Sequence, residues 1–357
     1  MPAVPVPRLL DLSLSILRAM GSTEAEARVV AEHLVGANLA GHDSHGVGMF
    51  PDYVRLLHAG LLVPNQELRQ LADAGAVLAF DAGRGFGQRM AREALDLAAE
   101  RARRQGAVVV ALRNSSHVGR IGAYGEQCAA AGLASVHFVN VGDHDPYQAT
   151  WGGSDARLGT NPFCAALPDG AGGAVVVLDM ATSAIAFGKA RVARNKGVPV
   201  PPGSLIDKEG RPTTDPAPLV DRWEGALSAF GGHKGSGLAV MCELLGGALT
   251  GGMTLQPEHP RAGGIVNSML SVLMDPAAFG DPDAIAREVA AVGDWIKASP
   301  PAPGTDQVML PGEPERRARA GREAEGIPLD EKSLDDILAA ARSLGLAQGE
   351  LDRALGR

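Results

Sequence analysis

The chain has 357 residues, of which 45% are hydrophobic and 21% charged, a composition that excludes general disorder and provides for a large core. Its length predicts two domains, or one domain with an appended helical part. With 33 basic and 41 acidic residues the net charge is -8, and no basic run is interleaved with aromatic residues, so we expect no nucleic-acid partner.

The N-terminus and the cysteines predict a cytoplasmic protein. Residues 1–20 carry charges at helical intervals and lack the apolar block and cleavage site of a secretory signal, and no apolar run is long enough to span a bilayer. Cys128, Cys164 and Cys242 lie far apart, each within or beside an apolar segment, and form no CxxC pair. We therefore expect buried, reduced thiols and no membrane partner.

The first part of the chain predicts a small helical unit. An amphipathic helix over 9–20 is closed by a glycine, and Thr23 with Glu26 has the spacing of a capping box that opens a second helix. The polar run His-Asp-Ser-His-Gly follows at 42–46. Helical spacing then resumes through Tyr53 and stops at a glycine.

The middle of the chain alternates strand-like and helical segments. The apolar runs that predict strands are 76–80, 107–112, 133–139, 163–167, 174–180 and 265–274. The segments with helical apolar stripes are an alanine-rich stretch up to 104, 121–131, 183–194, 234–250 and 283–298. This alternation predicts a sheet covered by helices. The Pro- and Gly-rich segment 196–218 predicts a structured loop near a site, and the tail from Glu313 predicts short helices on the outside.

A glycine loop after the 76–80 run superficially fits a dinucleotide-binding turn. Gly83 and Gly85 have the spacing of the first two glycines of the G-x-G-x-x-G fingerprint, but Gln88 occupies the third position. No acidic residue follows a second strand at the expected interval. The sequence therefore argues against a Rossmann fold.

His117 lies in a loop that leaves the 107–112 run and enters a helix, a position where catalytic residues often lie. Ser115 and Ser116 precede it and are suited to capping that helix, and nearby glycines allow close approach of the backbone to a ligand. An imidazole has an ordinary pKa near neutrality, so His117 can give or take a proton at working pH. A capping or packing role in a tight turn is the alternative.

Polar islands rich in small residues open or close regular elements at five places. They are 43–46, the His117 loop, 159–162, 179–183 and 232–237. Each island alone has a structural explanation, such as a helix cap, a turn or a solvated lysine. Five of them in one chain indicate a shared cleft.

Other chemistries fit the residue pattern less well. His42 and His45, with a third histidine such as His117, His137 or His144, could bind zinc, but no HExxH motif or carboxylate-rich loop accompanies them, so we predict no metal. A Ser-His-Asp hydrolase would need a G-x-S-x-G elbow, and the residues around Lys234 lack the order of a phosphate-binding loop. A metal-dependent lyase or hydrolase and a non-catalytic binding module remain the alternatives from other classes.

The islands together resemble the signature set of the malate/L-lactate dehydrogenase family that lacks a Rossmann fold, which also includes ureidoglycolate and sulfolactate dehydrogenases. The matching segments are 43–47, 114–119, 159–163, 179–183, the loop 197–216 and 233–235. Order and spacing agree from about residue 9 to the C-terminal helices. The resemblance implies a mixed α/β fold, with a non-Rossmann mixed sheet flanked by helices. It implies a discontinuous helical domain over 1–75 and 300–357 and a cofactor-binding sheet domain over 76–299.

The resemblance also implies hydride transfer between NAD(H), with NADP(H) as the other option, and a 2-hydroxy acid/2-oxo acid pair, in a homodimer. His117 would donate and accept the proton. The residues implied to contact the dinucleotide are His45, Gly119, Arg120, Ile121, Asp179, Met180, Ala181, Thr182, Ser183, Lys234, Asn267, Gly312, Glu313, Pro314 and Glu315. The candidates for substrate contact are Ser44, Met49, Arg55 and Thr160.

One position departs from the family pattern. Many relatives carry an arginine four residues after the histidine of the Ser-His-Gly motif, where it can hold a substrate carboxylate, and Met49 occupies that position here. Arg55 and Arg120 are substitutes on charge alone, so the residue that holds the carboxylate is left open. Met49 favours a bulkier or less acidic substrate than malate. Within the family, a malate or ureidoglycolate dehydrogenase and a reductase of a cyclic imino acid are the alternative activities.

Overall fold

The structure is a computed structural model that describes residues 3–171 and 173–356. Its α-helices are α1 Val6–Ala19, α2 Glu24–Leu39, α3 Phe50–His58, α4 Gly87–Gln105, α5 Gly122–Ala130, α6 Phe187–Lys196, α7 Ala217–Arg222, α8 His233–Met241, α9 Pro282–Lys297, α10 Glu313–Glu325, α11 Glu331–Ser343 and α12 Gln348–Leu355. No helix within these two ranges combines the length and the apolar composition needed to cross a bilayer.

The strands of the seven-stranded sheet are longer than those of the two smaller sheets. They are β1 Ala3–Val4, β2 Arg69–Ala74, β3 Val77–Asp81, β4 Ala107–Ser115, β5 Ala134–Gly142, β6 Gln148–Ala149, β7 Ala156–Leu158, β8 Phe163–Pro168, β9 Ala174–Met180, β10 Leu205–Ile206, β11 Pro212–Thr213, β12 Ala226–Leu227, β13 Val266–Met274 and β14 Ile327–Pro328. The 3-10 turns are Asp43–His45, Val47–Met49 and Pro276–Ala278, and a π-helical segment, Cys242–Ala248, follows α8.

The main sheet has the strand order β2-β3-β4-β13-β5-β8-β9. β3 and β4 run parallel, because α4 connects them as a crossover, and the other neighbouring strands are antiparallel. β4 and the first half of β5 alternate buried and half-buried residues, so one face is more deeply covered than the other, and α4 and α5 pack against this sheet. A mixed sheet in this order is not a Rossmann fold, which confirms the predicted fold class.

A second core unites the two ends of the chain. α1, α2 and α3 pack with α11 and α12 around buried apolar side chains such as Leu34, Phe50 and Ile337. β1 and β14 pair antiparallel and join the N-terminal part to the C-terminal part again. The domain boundaries given above at residues 75 and 300 stay a prediction.

The segment predicted as a structured loop over 196–218 belongs to a small second sheet. Its strand order is β11-β10-β12-β6-β7, with β12 parallel to β6. Its core consists of Ala190, Val200, Leu205, Leu219 and Leu227. The segment therefore contributes buried apolar side chains to this core. Their burial explains why the segment is ordered although it is rich in proline and glycine.

Two helix predictions require correction. The helix predicted over 183–194 begins at Phe187, because Ser183 instead forms a β-bridge with Ala229. The helix predicted over 234–250 changes after Met241 from α-helical to π-helical hydrogen bonding. The spacing of apolar residues does not predict the late start of α6 or the π-helical hydrogen bonding after α8.

Two capping predictions also differ from the structure. Ser115 ends β4, its hydroxyl donates to the Ser116 carbonyl at 2.8 Å, and α5 begins after Ile121 without a side-chain cap. At the start of α2, the Thr23 hydroxyl accepts the Glu26 N–H as predicted, at 3.4 Å. The Glu26 carboxylate does not close the capping box, since it binds Arg89 at 2.9 Å.

Candidate active site

The His117 loop is fixed by contacts to its backbone. The Val118 N–H donates to Oδ1 of Asn267, on β13, at 3.0 Å. At the start of α4, a side chain on Gly87 would overlap the carbonyl oxygens of Ser116 and His117, so only glycine allows the helix to lie this close. The imidazole is therefore held at a defined position between the sheet and α4.

The His117 ring contacts two other rings. Its Nδ1 lies 2.8 Å from the hydroxyl of Tyr53, on α3, and the amide of Gln88, on α4, donates to that hydroxyl at 2.6 Å. The His45 ring stacks on His117, with 5.6 Å between centroids and 22° between the planes. Because Nδ1 is occupied, Nε2 is the ring nitrogen of His117 available to a substrate.

The environment keeps the stacked histidines neutral. Although the His117 ring is only half-buried, desolvation lowers its pKa well below the ordinary 6.5, and the charges that His45 and His33 would carry lower it further. Desolvation lowers the pKa of His45 to about 4, against the opposing effect of Asp179. Burial raises the pKa of Tyr53, so its hydroxyl stays protonated. Both imidazoles are therefore uncharged at neutral pH.

A buried arginine ties the His117 loop to the end of β9. Arg120 is 2% exposed, and its guanidinium lies 2.8 Å from the carboxylate of Glu126 and 3.3 Å from Oδ2 of Asp179. The same Asp179 oxygen accepts the N–H of Gly122, the first residue of α5, at 2.9 Å. Burial would lower the Arg120 pKa, but the two carboxylates outweigh it and raise the pKa. The charge of Arg120 is thus neutralised inside the protein, which argues against its holding a substrate carboxylate.

The polar run 42–46 is anchored to the C-terminal part of the chain. Nε2 of His42 lies 3.1 Å from the carboxylate of Glu315, on α10, and this hydrogen bond lowers the Glu315 pKa. Asp43 accepts from Arg322, also on α10, at 2.6 Å. α10 therefore fixes the turn that carries His45.

The segment after β9 contains a buried hydroxyl that requires a partner. The N–H and the hydroxyl of Thr182 both donate to the Thr160 carbonyl, at 2.9 and 2.8 Å. Ser183 is buried, and its hydroxyl has no hydrogen-bond partner among the described residues. A side chain on Gly188 would lie 3.1 Å from Cβ of Ser44, so the start of α6 abuts the polar run. An unpaired buried hydroxyl in this region is suited to a ligand.

Part of the predicted set forms one connected group. Its members, joined by stacking, ion pairing or electrostatic interaction, are His45, His117, Arg120, Asp179 and Glu315. Gly119 and Ile121 lie in the same loop, and Met180 and Ala181 follow Asp179 directly. The predicted shared site is thus partly assembled around the His117 loop.

Other predicted residues have different surroundings. Lys234 is exposed in the first turn of α8, and Glu313 binds the ammonium of Lys297 at 2.5 Å. Met49 packs against the helical core, and Arg55 is exposed on α3. The roles assigned to these residues stay predictions.

The histidines considered for zinc take part in other contacts. Across 3–171 and 173–356, no group of three or more His, Cys, Asp or Glu side chains is arranged to hold a metal ion. His137 is fully buried between β5 and β13, where its two ring nitrogens lie 2.8 and 3.0 Å from the hydroxyls of Ser271 and Ser135. It is a structural histidine of the sheet.

Tyr53 and Gln88 are the residues of this site that sequence reasoning missed. Tyr53 fits the helical apolar spacing of α3, and Gln88 is notable in the sequence only for breaking the glycine fingerprint. Both are fully buried. A polar group on a face predicted to be apolar is the signal that could have found them, because such groups need buried partners. Their contact joins residues 35 positions apart, which spacing does not predict.

Comparison with known proteins defines the class of this one. The family model for malate/L-lactate dehydrogenase matches residues 4–338. The chain belongs to this family and is an oxidoreductase. This confirms the resemblance drawn from the motifs and the prediction of an enzyme of the 2-hydroxy acid dehydrogenase type. Membership implies a nicotinamide cofactor and a small hydroxy acid substrate.

Individual relatives cover nearly the whole chain. Hydroxycarboxylate dehydrogenase B of Escherichia coli K12 is 48% identical over 339 residues, which are 94% of this chain and 93% of the relative. L-lactate dehydrogenase of Cupriavidus necator is 43% identical over 310 residues, 87% of this chain and 89% of the relative. A solved E. coli structure of the malate/lactate dehydrogenase type superimposes with a TM-score of 0.95 at 46% identity, covering 100% of this chain and 99% of that one.

Proposed function

We propose that this enzyme transfers a hydride between NAD(H) and a 2-hydroxy acid/2-oxo acid pair, with His117 donating and accepting the proton. The observation that carries the proposal is the environment of His117. Its ring stacks on His45 and has Nδ1 bonded to Tyr53, which leaves Nε2 for a substrate. When bound, the nicotinamide supplies the hydride in reduction and takes it up in oxidation.

The proton moves in opposite directions in the two half-reactions. In oxidation, neutral His117 with its own proton on Nδ1 accepts the substrate hydroxyl proton at Nε2, while the carbon that bears the hydroxyl loses the hydride. In reduction, the carbonyl carbon gains the hydride, the C=O electron pair moves to oxygen, and this oxygen takes a proton from the protonated ring. Without ligands, the pKa of His117 lies well below its ordinary value, so the ring is neutral. Reduction requires a protonated ring and therefore a negative charge close to it. The substrate carboxylate supplies it, because an opposite charge favours the imidazolium.

The donors proposed for the dinucleotide lie after β9 and at helix starts. The unpaired hydroxyl of Ser183 and the exposed ammonium of Lys234, which can pair with a phosphate, are of the chemistry that a dinucleotide needs. Arg120, Asp179 and Asn267 already bond within the protein, so we assign them the positioning of the His117 loop. NAD(H) is the proposed cofactor, with NADP(H) as the other option.

The test follows the absorbance of NADH and of NADPH with aliphatic, dicarboxylic and bulky 2-oxo acids and with a cyclic imino acid, with and without a chelator. We expect NADH oxidation with a 2-oxo acid that the chelator leaves unchanged. His117→Asn should lose about 10²-fold or more in kcat and retain NADH binding, measured by fluorescence. His58→Asn, at an exposed position on α3, is the matched control. Full activity in His117→Asn would remove the proton role.

We also propose that the enzyme is a homodimer. Large apolar side chains are exposed at Val240 and Met241 in α8, at Leu244 in the π-helical segment and at Leu249 directly after it. Clusters of this kind mark interfaces. Light scattering should give twice the chain mass of 36.8 kDa. Leu244→Asp should give monomers, and Leu97→Asp, at an exposed leucine of α4, should not. A monomeric wild type would contradict the proposal.

A cytoplasmic location completes the proposal. Cys128, Cys164 and Cys242 are free and buried. Burial raises the pKa of Cys128 and of Cys242 to about 12, so these thiols are unreactive and suited to a reducing compartment. Cell fractionation followed by an activity assay tests the location.

A further inference from the structure

We infer that Tyr53 and Gln88 are positioning residues for His117, forming a hydrogen-bonded chain behind Nδ1 whose direction decides which ring nitrogen carries the proton. The inference rests on the proton role proposed for His117. The chain runs from the Gln88 amide to the Tyr53 hydroxyl at 2.6 Å, and from that hydroxyl to Nδ1 at 2.8 Å.

The direction of the chain follows from the donors present. The amide nitrogen of Gln88 can only donate, so it takes a lone pair of the Tyr53 oxygen. The single hydroxyl proton of Tyr53 is then left to donate to Nδ1 of His117. A neutral imidazole that accepts at Nδ1 carries its own proton on Nε2. The arrangement therefore presents an N–H to the substrate side.

Packing prevents water from replacing either member of the chain. Tyr53 and Gln88 are fully buried. Phe50 and Phe86 lie edge-on to the Tyr53 ring, at 6.5 and 5.8 Å between centroids, and hold its hydroxyl in place. Burial also raises the Tyr53 pKa, which keeps the phenol proton available to the chain. Among the described residues, the hydroxyl thus has His117 and Gln88 as its hydrogen-bond partners and is shielded from bulk solvent.

The unpaired oxygen of Gln88 explains why an amide is suited to this position. Oε1 of Gln88 is buried and has no partner among the described residues. When His117 is protonated, or is neutral with a free Nε2, its Nδ1–H must donate to Tyr53, whose hydroxyl then needs an acceptor. A half-turn of the Gln88 amide supplies Oε1 as that acceptor. A single amide therefore serves both directions of the reaction.

The test reads the tautomer of His117 by ¹⁵N NMR of histidine-labelled enzyme, with the His117 signals assigned as those missing in His117→Asn. In the wild type without ligands we expect the proton on Nε2. Gln88→Glu places an acceptor-only carboxylate behind Tyr53 and should move the proton to Nδ1 or yield a protonated ring. Tyr53→Phe keeps the ring and removes the hydroxyl, so we expect mixed tautomers and a loss of about tenfold or more in kcat, with the KM for NADH unchanged.

Further variants keep the test decisive if Tyr53→Phe does not fold. Gln88→Met removes the amide at similar volume and should also mix the tautomers and lower kcat. Gln127→Met is the matched control, since this amide of α5 donates to Arg92 and Asp96 on the exposed side of α4. An unchanged tautomer and kcat in both Gln88 variants would overturn the inference even if His117→Asn is inactive. An active His117→Asn would instead overturn the proposed function.

Discussion

Arg120 and Met49 together narrow how a substrate carboxylate can be held. Arg120 lies three residues after His117, but Glu126 and Asp179 already neutralise its buried guanidinium. Met49 packs its apolar side chain against the helical core. Neither therefore offers a free positive charge to the substrate. Arg55, which is exposed on α3, and neutral donors such as the hydroxyl of Ser44 therefore stay the predicted partners of the substrate carboxylate.

The ion pair of Arg120 and Asp179 gives a prediction at the same scale. Asp179→Asn removes one partner of a side-chain pair that is 2% and 8% exposed, and it leaves a buried charge undercompensated. We expect the free energy of unfolding, measured in urea without cofactor, to fall by about 3 kcal/mol. Asp155→Asn breaks the Arg157 pair, which is 67% and 58% exposed, and should cost less than about 1 kcal/mol. Equal losses in the two variants would show that burial does not set the cost.

At the scale of elements, the first turn of α4 sets the geometry around His117. Gly87→Ala would push a Cβ into the carbonyl oxygens of Ser116 and His117, so α4 or the loop must move. Since Gln88 is the next residue, we expect the Tyr53 contact to weaken and kcat to fall by about tenfold or more. Steady-state kinetics with a 2-oxo acid measure this.

A helical glycine with open space is the control for this variant. A Cβ on Gly321, in α10, would meet no atom within 4 Å, so Gly321→Ala should leave kcat unchanged. It should also raise the free energy of unfolding by about 0.5–1 kcal/mol, because alanine favours the helix. The same fall in kcat in both variants would contradict the steric argument.

The local pattern of apolar residues predicted those strands and helices that bury an apolar run or an apolar face. β4, β5, β8, β9 and β13 coincide with apolar runs in the sequence, and each contributes buried side chains to the sheet, so their positions were predictable. β2 was not, because all of its residues are exposed and it forms only by pairing with β3. The strand order depends on long-range contacts that no spacing encodes.

The candidate site shows the same division between local and long-range information. Polar residues at the ends of elements identified the His117 loop and the 42–46 run from the sequence. The stacking of His45 on His117 and the contact of Tyr53 with Gln88 depend on how separate elements pack. Motifs therefore locate candidate groups, and only packing shows which of them touch.

At the scale of the whole molecule, the site depends on several parts of the chain being packed together. α3 supplies Tyr53, α4 supplies Gln88, and β4 leads into His117. α10, from the C-terminal part, fixes the turn of His45 through Glu315 and Arg322. Loss of packing between the helical core and the sheet would therefore separate these residues even if each core stayed folded.

Buried histidines make the stability of the whole molecule sensitive to acid. Burial lowers the pKa of His137 to about 4, and burial with the charge of Arg120 lowers that of His33 to about 3. In the unfolded chain these groups titrate near 6.5, so between the two pKa values the unfolded state binds more protons. The contribution of these two histidines to the free energy of unfolding is thus fully present above pH 6.5 and is lost as the pH falls toward 4.

His137→Gln tests this dependence away from the active site. The interval from 6.5 to 4 costs about 1.4 kcal/mol per pH unit, so His137 alone accounts for roughly 3 kcal/mol of acid destabilisation. Glutamine can still bond the Ser271 and Ser135 hydroxyls but does not titrate. Urea unfolding at a series of pH values should therefore show a slope against pH that is smaller by about one proton in the variant. His58→Gln, at an exposed position, should keep the wild-type slope. If His137→Gln keeps it as well, the histidine is already protonated in the folded protein and its burial does not cause the acid sensitivity.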